Sequence, residues 1–314
     1  MPGQWVDQAC SLYDRTRTYF YGAHTMTLNI SMPGTIGGAR IVFPLEPMKN
    51  IGIVGVGYVG GAIRDAIENK YDSSPILVDP GKGYKNTIAD LKDTEGVFVC
   101  VPTPQGNDGT CDIRILEDVL SSLNEIDYAG VIISKCTAPP DVYERLNNQF
   151  PNLVHAPEFL TAVNATQDYI NGRFAIIGGR INAYRREAER IIRMTQAHLG
   201  ENVRHCSIGE ASLAKYTINS FLATKVTFMN EIYGLATAFG LDYNTIANMV
   251  KLDSRIGNSH MQVPGPDGQF GFGGACFPKD TSALIKFAEQ KNVSMNVLES
   301  AVKKNLLLRL TEPK

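Results

Sequence analysis

Ile51-Gly52-Ile53-Val54-Gly55-Val56-Gly57-Tyr58-Val59-Gly60 decides the fold. A short apolar run ends in three glycines spaced G-x-G-x-x-G, and a helical period follows to about residue 70, the strand, turn and helix that open a βαβ unit. Gly55 permits the turn, Gly57 lets backbone approach a pyrophosphate and Gly60 lets helix pack on strand. Tyr58 and Val59 open the helix whose N-terminal amides hold phosphates. Asp79 ends the next strand 24 residues beyond Gly55, where a carboxylate bonds both ribose hydroxyls and disfavours a 2′-phosphate. The expected cofactor is therefore NAD rather than NADP. The glycines alone also fit a turn in an unrelated α/β protein; strand, helix and terminal acid together point to a dinucleotide.

Further apolar runs at 76–79, 97–101, 131–134 and 153–155, with another at 173–178, alternate with helical stretches near 113–123 and 141–148. Buried runs alternating with helices imply a parallel sheet covered on both faces. After residue 183 the pattern is helical: 185–199, a long segment 208–239 with Gly240 as its C-terminal cap, then 243–252, 281–290 and 294–308, with a Gly- and Pro-rich stretch at 263–278. The 208–239 segment is too long for an ordinary surface helix and is expected to run through a domain junction or an oligomer interface. The expected class is α/β, an N-terminal Rossmann-like parallel sheet followed by an all-helical dimerisation domain with a long central helix. The expected division is an N-terminal extension of unknown role at 1–47, an NAD-binding domain at 48–207 and a helical domain at 208–314. Within the extension, 18–30 alternates loosely enough for a strand pair or no structure, and Met48 is a second candidate start.

The 314 residues are 44% hydrophobic and 20% charged, with 30 Lys and Arg against 32 Asp and Glu, so no global charge attracts nucleic acid or anionic lipid. No apolar run approaches the roughly 18 residues of a membrane span, and no signal-like start is present; a cytoplasmic protein is expected. Six cysteines without a CxxC pair and five histidines without HxxxH or HExxH spacing give no expected metal site, and the histidines read as surface or satisfied polar residues.

Gly271-Phe272-Gly273-Gly274-Ala275-Cys276-Phe277-Pro278-Lys279-Asp280 is the second chemical signal. Pro278 suits a first helical turn, which places Cys276 at a helix N-terminus, where free amides and the dipole stabilise a thiolate. The glycines would let backbone approach a substrate, and Asp280 could position a water near the thiol. The same pattern also fits a buried cysteine at a tight turn, with Asp280 complementing the helix dipole. Lys215 and Asn219, four apart, share a helix face and offer a cation and an amide to an oxyanion. Glu158, in Pro157-Glu158-Phe159-Leu160, follows a strand end where open α/β sheets place ligands, a candidate acid or base or an ordinary helix-start glutamate.

In combination the chain resembles the UDP-glucose/GDP-mannose dehydrogenase family. The likeness is carried by GVGYVG at 55–60, the VPTP containing Pro102 and Thr103, Lys135-Cys136-Thr137, PEFL at 157–160, the KYTINSFLA that begins at Lys215, Asn230-Glu231, Arg255-Ile256-Gly257 and GFGGACFPKD at 271–280, in family order over 48 to about 305. The resemblance implies a four-electron oxidation of a nucleotide-sugar alcohol to a carboxylate with two NAD molecules, through a Cys276 thiohemiacetal and thioester, with UDP-glucose to UDP-glucuronate favoured. It implies that Lys215 and Asn219 stabilise the charged oxygen, that Asp280, Glu158 and Thr137 handle water and protons, and that Phe159, Leu160, Gly273, Gly274 and Arg255 meet substrate, Arg255 from a neighbouring subunit. Tyr58, Val59, Pro102 and Thr103 would join the glycines and Asp79 at the cofactor. It further implies a homodimer through the long helix and products destined for surface polysaccharide. The chain departs from the family at Ala156, at Cys136, and in the longer loop 260–269, expected to cover part of the site. Only 34 residues follow Asp280, too few for the family's second, nucleotide-holding Rossmann-like domain. Two other readings stand beside this one. A β-hydroxyacid or 6-phosphogluconate-type dehydrogenase transfers one hydride and does not need Cys276. An inert dimeric NAD-binding module would use none of these side chains.

Overall fold

The computed structural model describes residues 19–22, 25–30, 39–44, 50–71, 73–196 and 198–311. Three strands precede the main sheet: β1 (Tyr19–Gly22), β2 (Thr25–Ile30) and β3 (Ala39–Pro44) pair antiparallel in that order. The alternation at 18–30 thus gives two strands of a three-stranded meander. Its third member was not read from the sequence, and residue 18 and the rest of the extension lie outside the described residues.

The main sheet contains β4 (Ile51–Val54), β5 (Ile76–Val78), β6 (Gly96–Val99), β7 (Val131–Ser134), β8 (Leu153–His155), β9 (Ala175–Gly178) and β10 (Val203–Cys206), in the order β10-β9-β8-β7-β6-β4-β5. Every residue of β4, β6, β7 and β8 is buried, as expected of strands covered on both faces. The chain leaves β4 for β5 on one side and then returns to β6 on the other, so the crevice for a ligand opens at the carboxyl end of β4. The outer pair adds one antiparallel junction to the expected parallel sheet. β9 meets β8 antiparallel through His155 and Gly178, while β9 and β10 run parallel to each other. β10 was not anticipated, because Val-Arg-His-Cys at a sheet edge buries no residue fully and shows no apolar run.

Helix α1 (Tyr58–Lys70), the short α4 (Ala165–Ile170) and α5 (Asn182–Thr195) cover one face. Helices α2 (Arg114–Glu125) and α3 (Pro140–Gln149) cover the other. α2 shows why these segments are helical: Leu116, Leu120 and Leu123 fall on one stripe and are fully buried. The remaining helices form a separate layer: α6 (Ile208–Ala238), α7 (Tyr243–Val250), α8 (Phe277–Gln290) and α9 (Asn296–Arg309). α6 packs on α3 and β9 at its start and on α8 and α9 farther along, so one helix joins sheet to helical layer. Among the described residues no helix is long and apolar enough to cross a membrane.

A reciprocal cap starts α6: Ser207 Oγ accepts the Glu210 N–H at 3.2 Å, and Glu210 Oε2 accepts the Ser207 N–H at 2.7 Å. Gly240, at φ +68°, ends it, with Leu241 N–H donating to Ala236 O at 2.9 Å. Along α6, Phe221, Phe228 and Leu235 recur every seven residues and are each more than half exposed. The 260–269 loop does not lie free. Met261 and Val263 pack into the cluster between α6 and α7, and Asp267 pairs with Arg309 at 2.7 Å, so the segment braces the helical layer. Ser207→Ala should lower stability by about 1 kcal/mol through loss of the cap, measured by urea denaturation, because among the described residues the Ser207 hydroxyl bonds only within that box.

Candidate active site

The turn after β4 is packed to a tolerance that only glycine meets. Gly55 sits at φ +87°, and a Cβ there would stand 2.8 Å from Cys100 O; a Cβ on Gly60 would run into the Gly55 carbonyl. Gly57 is different, since a Cβ there would meet nothing within 4 Å. The space in front of Gly57 and its neighbouring amides is what a pyrophosphate needs. Tyr58 is largely exposed at this turn, whereas Val59 turns inward against the sheet-face core. A groove of about 460 Å³ runs past Gly57, Tyr58 and Gly61 to Asn164 and Thr166. Asp79 lies just beyond the end of β5. Its Oδ2 accepts the Val56 N–H at 2.8 Å, and Lys82 Nζ donates to Val56 O at 2.5 Å, so the end of β5 braces the glycine turn. Asp79 Oδ1 accepts no hydrogen bond among the described residues and is available to a ribose hydroxyl. Open space at Gly57 and an uncommitted carboxylate oxygen at Asp79 fit a dinucleotide.

Two loops at the carboxyl ends of β6 and β7 join this cleft to α8. Thr103 Oγ1 donates to Thr137 O at 2.7 Å, with Pro102 exposed beside it. Farther on, Gln105 Nε2 donates to Ser282 Oγ at 3.1 Å and Ser282 Oγ donates to Gly109 O at 3.2 Å. Thr137 therefore stands on the sheet side, its carbonyl committed to Thr103 and to the Cys111 thiol at 3.2 Å.

Cys276 is the N-cap of α8 and is exposed. Asp280, in the first turn, is 1% exposed; it accepts Asn219 Nδ2 at 2.6 Å on one oxygen and Lys279 Nζ at 2.5 Å on the other. One turn earlier on α6, Lys215 Nζ donates to the carbonyl of Glu158 and, at 3.1 Å, to its Oε1. Glu158 Oε2 in turn accepts the Leu160 N–H at 2.6 Å. Lys215 also stands 5.1 Å from the ring centre of Phe159, which packs on Phe174. The charges of Glu158, Asp280, Lys215 and Lys279 all reach the Cys276 thiol. The structure thus brings together Cys276, Lys215, Asn219, Asp280 and Glu158, which are far apart in sequence.

Two expectations are corrected here, the acidity of the thiol and the satisfied histidines. The thiol of Cys276 is not acidified by its helix start. Although the residue is exposed, partial desolvation around its sulfur pushes the thiol up, and the carboxylates of Glu158 and Asp280 add to that, outweighing Lys215 and Lys279. Lys215 and Asn219 share a face, and their donors are bonded here to the Glu158 and Asp280 carboxylates. The histidines are not all satisfied. His155 is fully buried and held neutral by burial, pushed down to about 3, and its Nε2 has no hydrogen-bond partner among the described residues.

Gly271 has a packing reason for being glycine, because at φ +74° a Cβ would meet the buried Asn305 amide, whereas at Gly273 it would meet only the guanidinium end of Arg309, which can shift. Gly274, at φ +75°, faces open space. Arg255 lies on the surface, paired with Asp253 at 2.6 Å and 88% exposed, without contact to the Cys276 group. Its loop is pinned from α6 by Lys225 Nζ, which donates to the carbonyls of Ile256, Gly257 and Ser259. Sequence reasoning passed over Lys279 and Lys135. Lys279 adjoins Asp280 in the motif and was legible as its counter-charge; Lys135 follows the last residue of β7 and was marked only as part of a resemblance.

A parallel sheet with this glycine turn, backed by a helical layer that carries a cysteine at a helix start, defines a Rossmann-type NAD-binding protein. Residues 82–196 match the model of the UDP-glucose/GDP-mannose dehydrogenase family NAD binding domain, and residues 209–306 match that of the same family's central domain. The chain belongs to the UDP-glucose/GDP-mannose dehydrogenase family, and NAD is its cofactor. A UDP-glucose 6-dehydrogenase of Rickettsia bellii is 33% identical over 226 residues, 69% of this chain and 50% of that protein. The chain thus spans about half the length of that curated relative. The structure of a UDP-glucose dehydrogenase from Pyrobaculum islandicum superposes with a TM-score of 0.71 at 25% identity, over 84% of this chain and 70% of the other. A Mycobacterium tuberculosis 3-hydroxyisobutyrate dehydrogenase shares the fold at 15% identity, with a TM-score of 0.62 over 82% of this chain and 92% of the other.

Gly57→Ala should leave stability within about 0.5 kcal/mol while weakening NAD binding measured by calorimetry. Gly60→Ala should destabilise by roughly 1–3 kcal/mol through overpacking. Iodoacetamide labelling of the Cys276 peptide, followed by mass spectrometry, should rise to its plateau only above the roughly 8.5 of a free thiol. Lys215→Met should push that rise to still higher pH, whereas a plateau reached below pH 8 would contradict the geometry.

Proposed function

We propose that this chain carries an NAD-dependent dehydrogenase activity that oxidises the primary alcohol of a nucleotide sugar to a carboxylate, with UDP-glucose giving UDP-glucuronate. The observation that carries the reading is the Cys276 thiol at the start of α8, set among two carboxylates whose partners, Lys215 and Asn219, are the donors an alkoxide would need. The printed names of the relatives favour UDP-glucose. In this reading residues 48–207 hold the cofactor and 208–314 supply the chemistry, in a cytoplasmic protein.

Gly55, Gly57 and Gly60 with the α1 amides would hold the pyrophosphate, Asp79 the ribose, and Pro102 and Thr103 would lie along the cofactor. When bound, NAD supplies a two-electron hydride acceptor, and the reaction uses two molecules in succession. Lys215 and Asn219 hold the substrate oxygen as it sheds its proton, with Glu158 and Thr137 placed to pass that proton on. The first oxidation leaves an aldehyde. Cys276 gives up its proton and its sulfur adds to the carbonyl carbon, the π pair moving to oxygen, which is protonated to a thiohemiacetal. Loss of a second hydride and the hydroxyl proton gives a thioester. Asp280 then orients a water that adds to the carbonyl; the C–S bond breaks, the sulfur regains a proton and the acid leaves. Phe159, Leu160 and Gly274 would frame the sugar, and Arg255 would contribute from a second copy. The raised thiol explains why a base must act at the moment of attack.

The exposed Phe221, Phe228 and Leu235 stripe supports a homodimer through α6, and Phe228→Glu should then give a monomer by light scattering. A β-hydroxyacid-type reaction is the second reading, drawn from the shared fold alone. Supplying UDP-glucose, GDP-mannose and UDP-N-acetylmannosamine separately, and counting NADH per sugar consumed, separates the readings. Two per sugar is expected. One per sugar with full activity in Cys276→Ala would move the protein to the single-hydride class, and none despite NAD binding would mark an inert module. Asp280→Asn should accumulate a Cys276-linked adduct detectable by mass spectrometry.

A further inference from the structure

Lys225 spends its charge on backbone alone. It lies four residues after Phe221 and three before Phe228, so it emerges on the same face of α6 as the exposed apolar stripe. Its Nζ donates to Ile256 O at 3.1 Å, Gly257 O at 3.3 Å and Ser259 O at 2.6 Å, and among the described residues no other side chain hydrogen-bonds the backbone of 256–259. The turn that brings three carbonyls to one ammonium is strained. Gly257 stands at φ +74° and His260 at φ +60°, a left-handed position that a residue with a Cβ keeps only where its surroundings impose it. The ends of the segment are anchored elsewhere, by the Ile256 N–H on Asp253 O at 3.0 Å and by the Tyr243 hydroxyl, which donates to Met261 O at 2.6 Å. Its middle is held by Lys225. Arg255 opens this turn with a guanidinium that is 88% exposed and set by two bonds to Asp253, so its direction is fixed within the turn and the turn's place is fixed by α6. Ile256, exposed and bonded through its carbonyl to Lys225, carries the apolar surface of the stripe onto the turn.

We propose that Lys225 is a positioning residue: it ties the 255–259 turn to the stripe face of α6, so that a second copy seated on the stripe meets Arg255 at a fixed place and receives it into its own substrate site. The inference rests on the nucleotide-sugar reading and the α6 homodimer given above, and assigns to Lys225 a part that neither contains. An arginine on a free surface turn samples many positions, and the binding it gives grows as that freedom is removed beforehand. Three carbonyls on one ammonium restrain the turn while leaving the guanidinium in water until a partner arrives. In a twofold dimer each turn serves the other chain's site, so loss of Lys225 is felt in the partner's reaction and not in its own. No proton or hydride passes through Arg255 in the proposed reaction, and the loss therefore falls on KM rather than kcat.

Trypsin reads the tie without turnover, since its cut after Arg255 falls in the turn. Lys225→Met should speed cleavage of the Arg255–Ile256 bond by about tenfold while keeping the wild-type melting profile and the dimer mass by light scattering; Lys225→Arg, which keeps the donors, should stay near wild type. Steady-state rates with UDP-glucose and NAD read the position. Lys225→Met should raise KM for UDP-glucose by about tenfold or more with kcat within about twofold, again rescued by Lys225→Arg. Dimers mixed from two differently tagged chains locate the effect. When wild type is paired with a chain carrying both Lys225→Met and Cys276→Ala, the one working thiol is served by the loosened turn and the raised KM should persist. When Lys225→Met is paired with Cys276→Ala, the working thiol is served by an intact turn and KM should return to the wild-type value. Equal cleavage of wild type and Lys225→Met overturns the proposal, as does a raised KM that follows the thiol's own chain. Faster cleavage of Lys225→Met, in a protein whose wild type oxidises no UDP-glucose, upholds the tie and overturns the reaction reading, so the two fail separately.

Discussion

A carboxylate with almost no exposed surface has to be matched by donors from its surroundings, and Asp280 is matched by Asn219 on α6 and Lys279 on its own helix. Removing one partner of such a buried charge costs about 3–5 kcal/mol, so the approach of α8 to α6 is dictated by this joint. Cys276 is one turn before Asp280, and the Asp280 N–H donates to the Cys276 carbonyl at 2.8 Å. The joint that holds two helices together therefore also fixes where the sulfur stands. The cleft depends on the same link at one remove, because α8 receives the 105–109 loop through Ser282, and that loop continues from Thr103 at the end of β6.

The second clamp, Lys215 with Glu158, does for the sheet what Asn219 does for α8. Their side chains are 4% and 11% exposed, and the lysine takes the Glu158 backbone carbonyl as well as its carboxylate, which ties the loop after β8 to the middle of the site. Two donors four residues apart on one helix thus reach in opposite directions, one to the sheet and one to the helical layer. A single helix face sets the gap in which a ligand would sit. Lengthening α6 beyond the usual globular helix follows from this: it must start on α3 and β9 and still reach α8 and α9.

Much of this was readable before any coordinates. The period-driven elements were legible to within a few residues at their ends, because strands such as 131–134 and stripes such as Leu116, Leu120 and Leu123 are buried on sequence-local patterns. The grouping of Cys276, Lys215, Asn219, Asp280 and Glu158 could be suspected because cysteine, acid and amide occur at spacings that matter. What was missed has a common cause. β10 is a polar edge strand that exists because β9 offers it hydrogen bonds, and the reversal of β9 against β8 leaves no mark in composition. The acidity of Cys276 was misjudged because the helix start is local, whereas the desolvation of its sulfur and, after it, the Glu158 charge 118 residues away are not. The packing of Asn305 against Gly271 is likewise invisible to local spacing, being 34 residues away.

The committed donors also constrain how the site must work if it acts as proposed. An oxygen losing its proton competes with Glu158 for Lys215 and with Asp280 for Asn219, so the ground-state alcohol, a weak acceptor, leaves both pairs intact, while an alkoxide, charged and compact, can draw the donors away. Stabilisation then grows only as charge develops, which is the condition for lowering a barrier rather than merely holding substrate. The displaced carboxylates would be left beside a thiol that both already hold in its protonated form, and each becomes a stronger base as its partner leaves. Proton removal from sulfur and charge build-up on oxygen are in this way coupled through the same two pairs, with no further group required to time them.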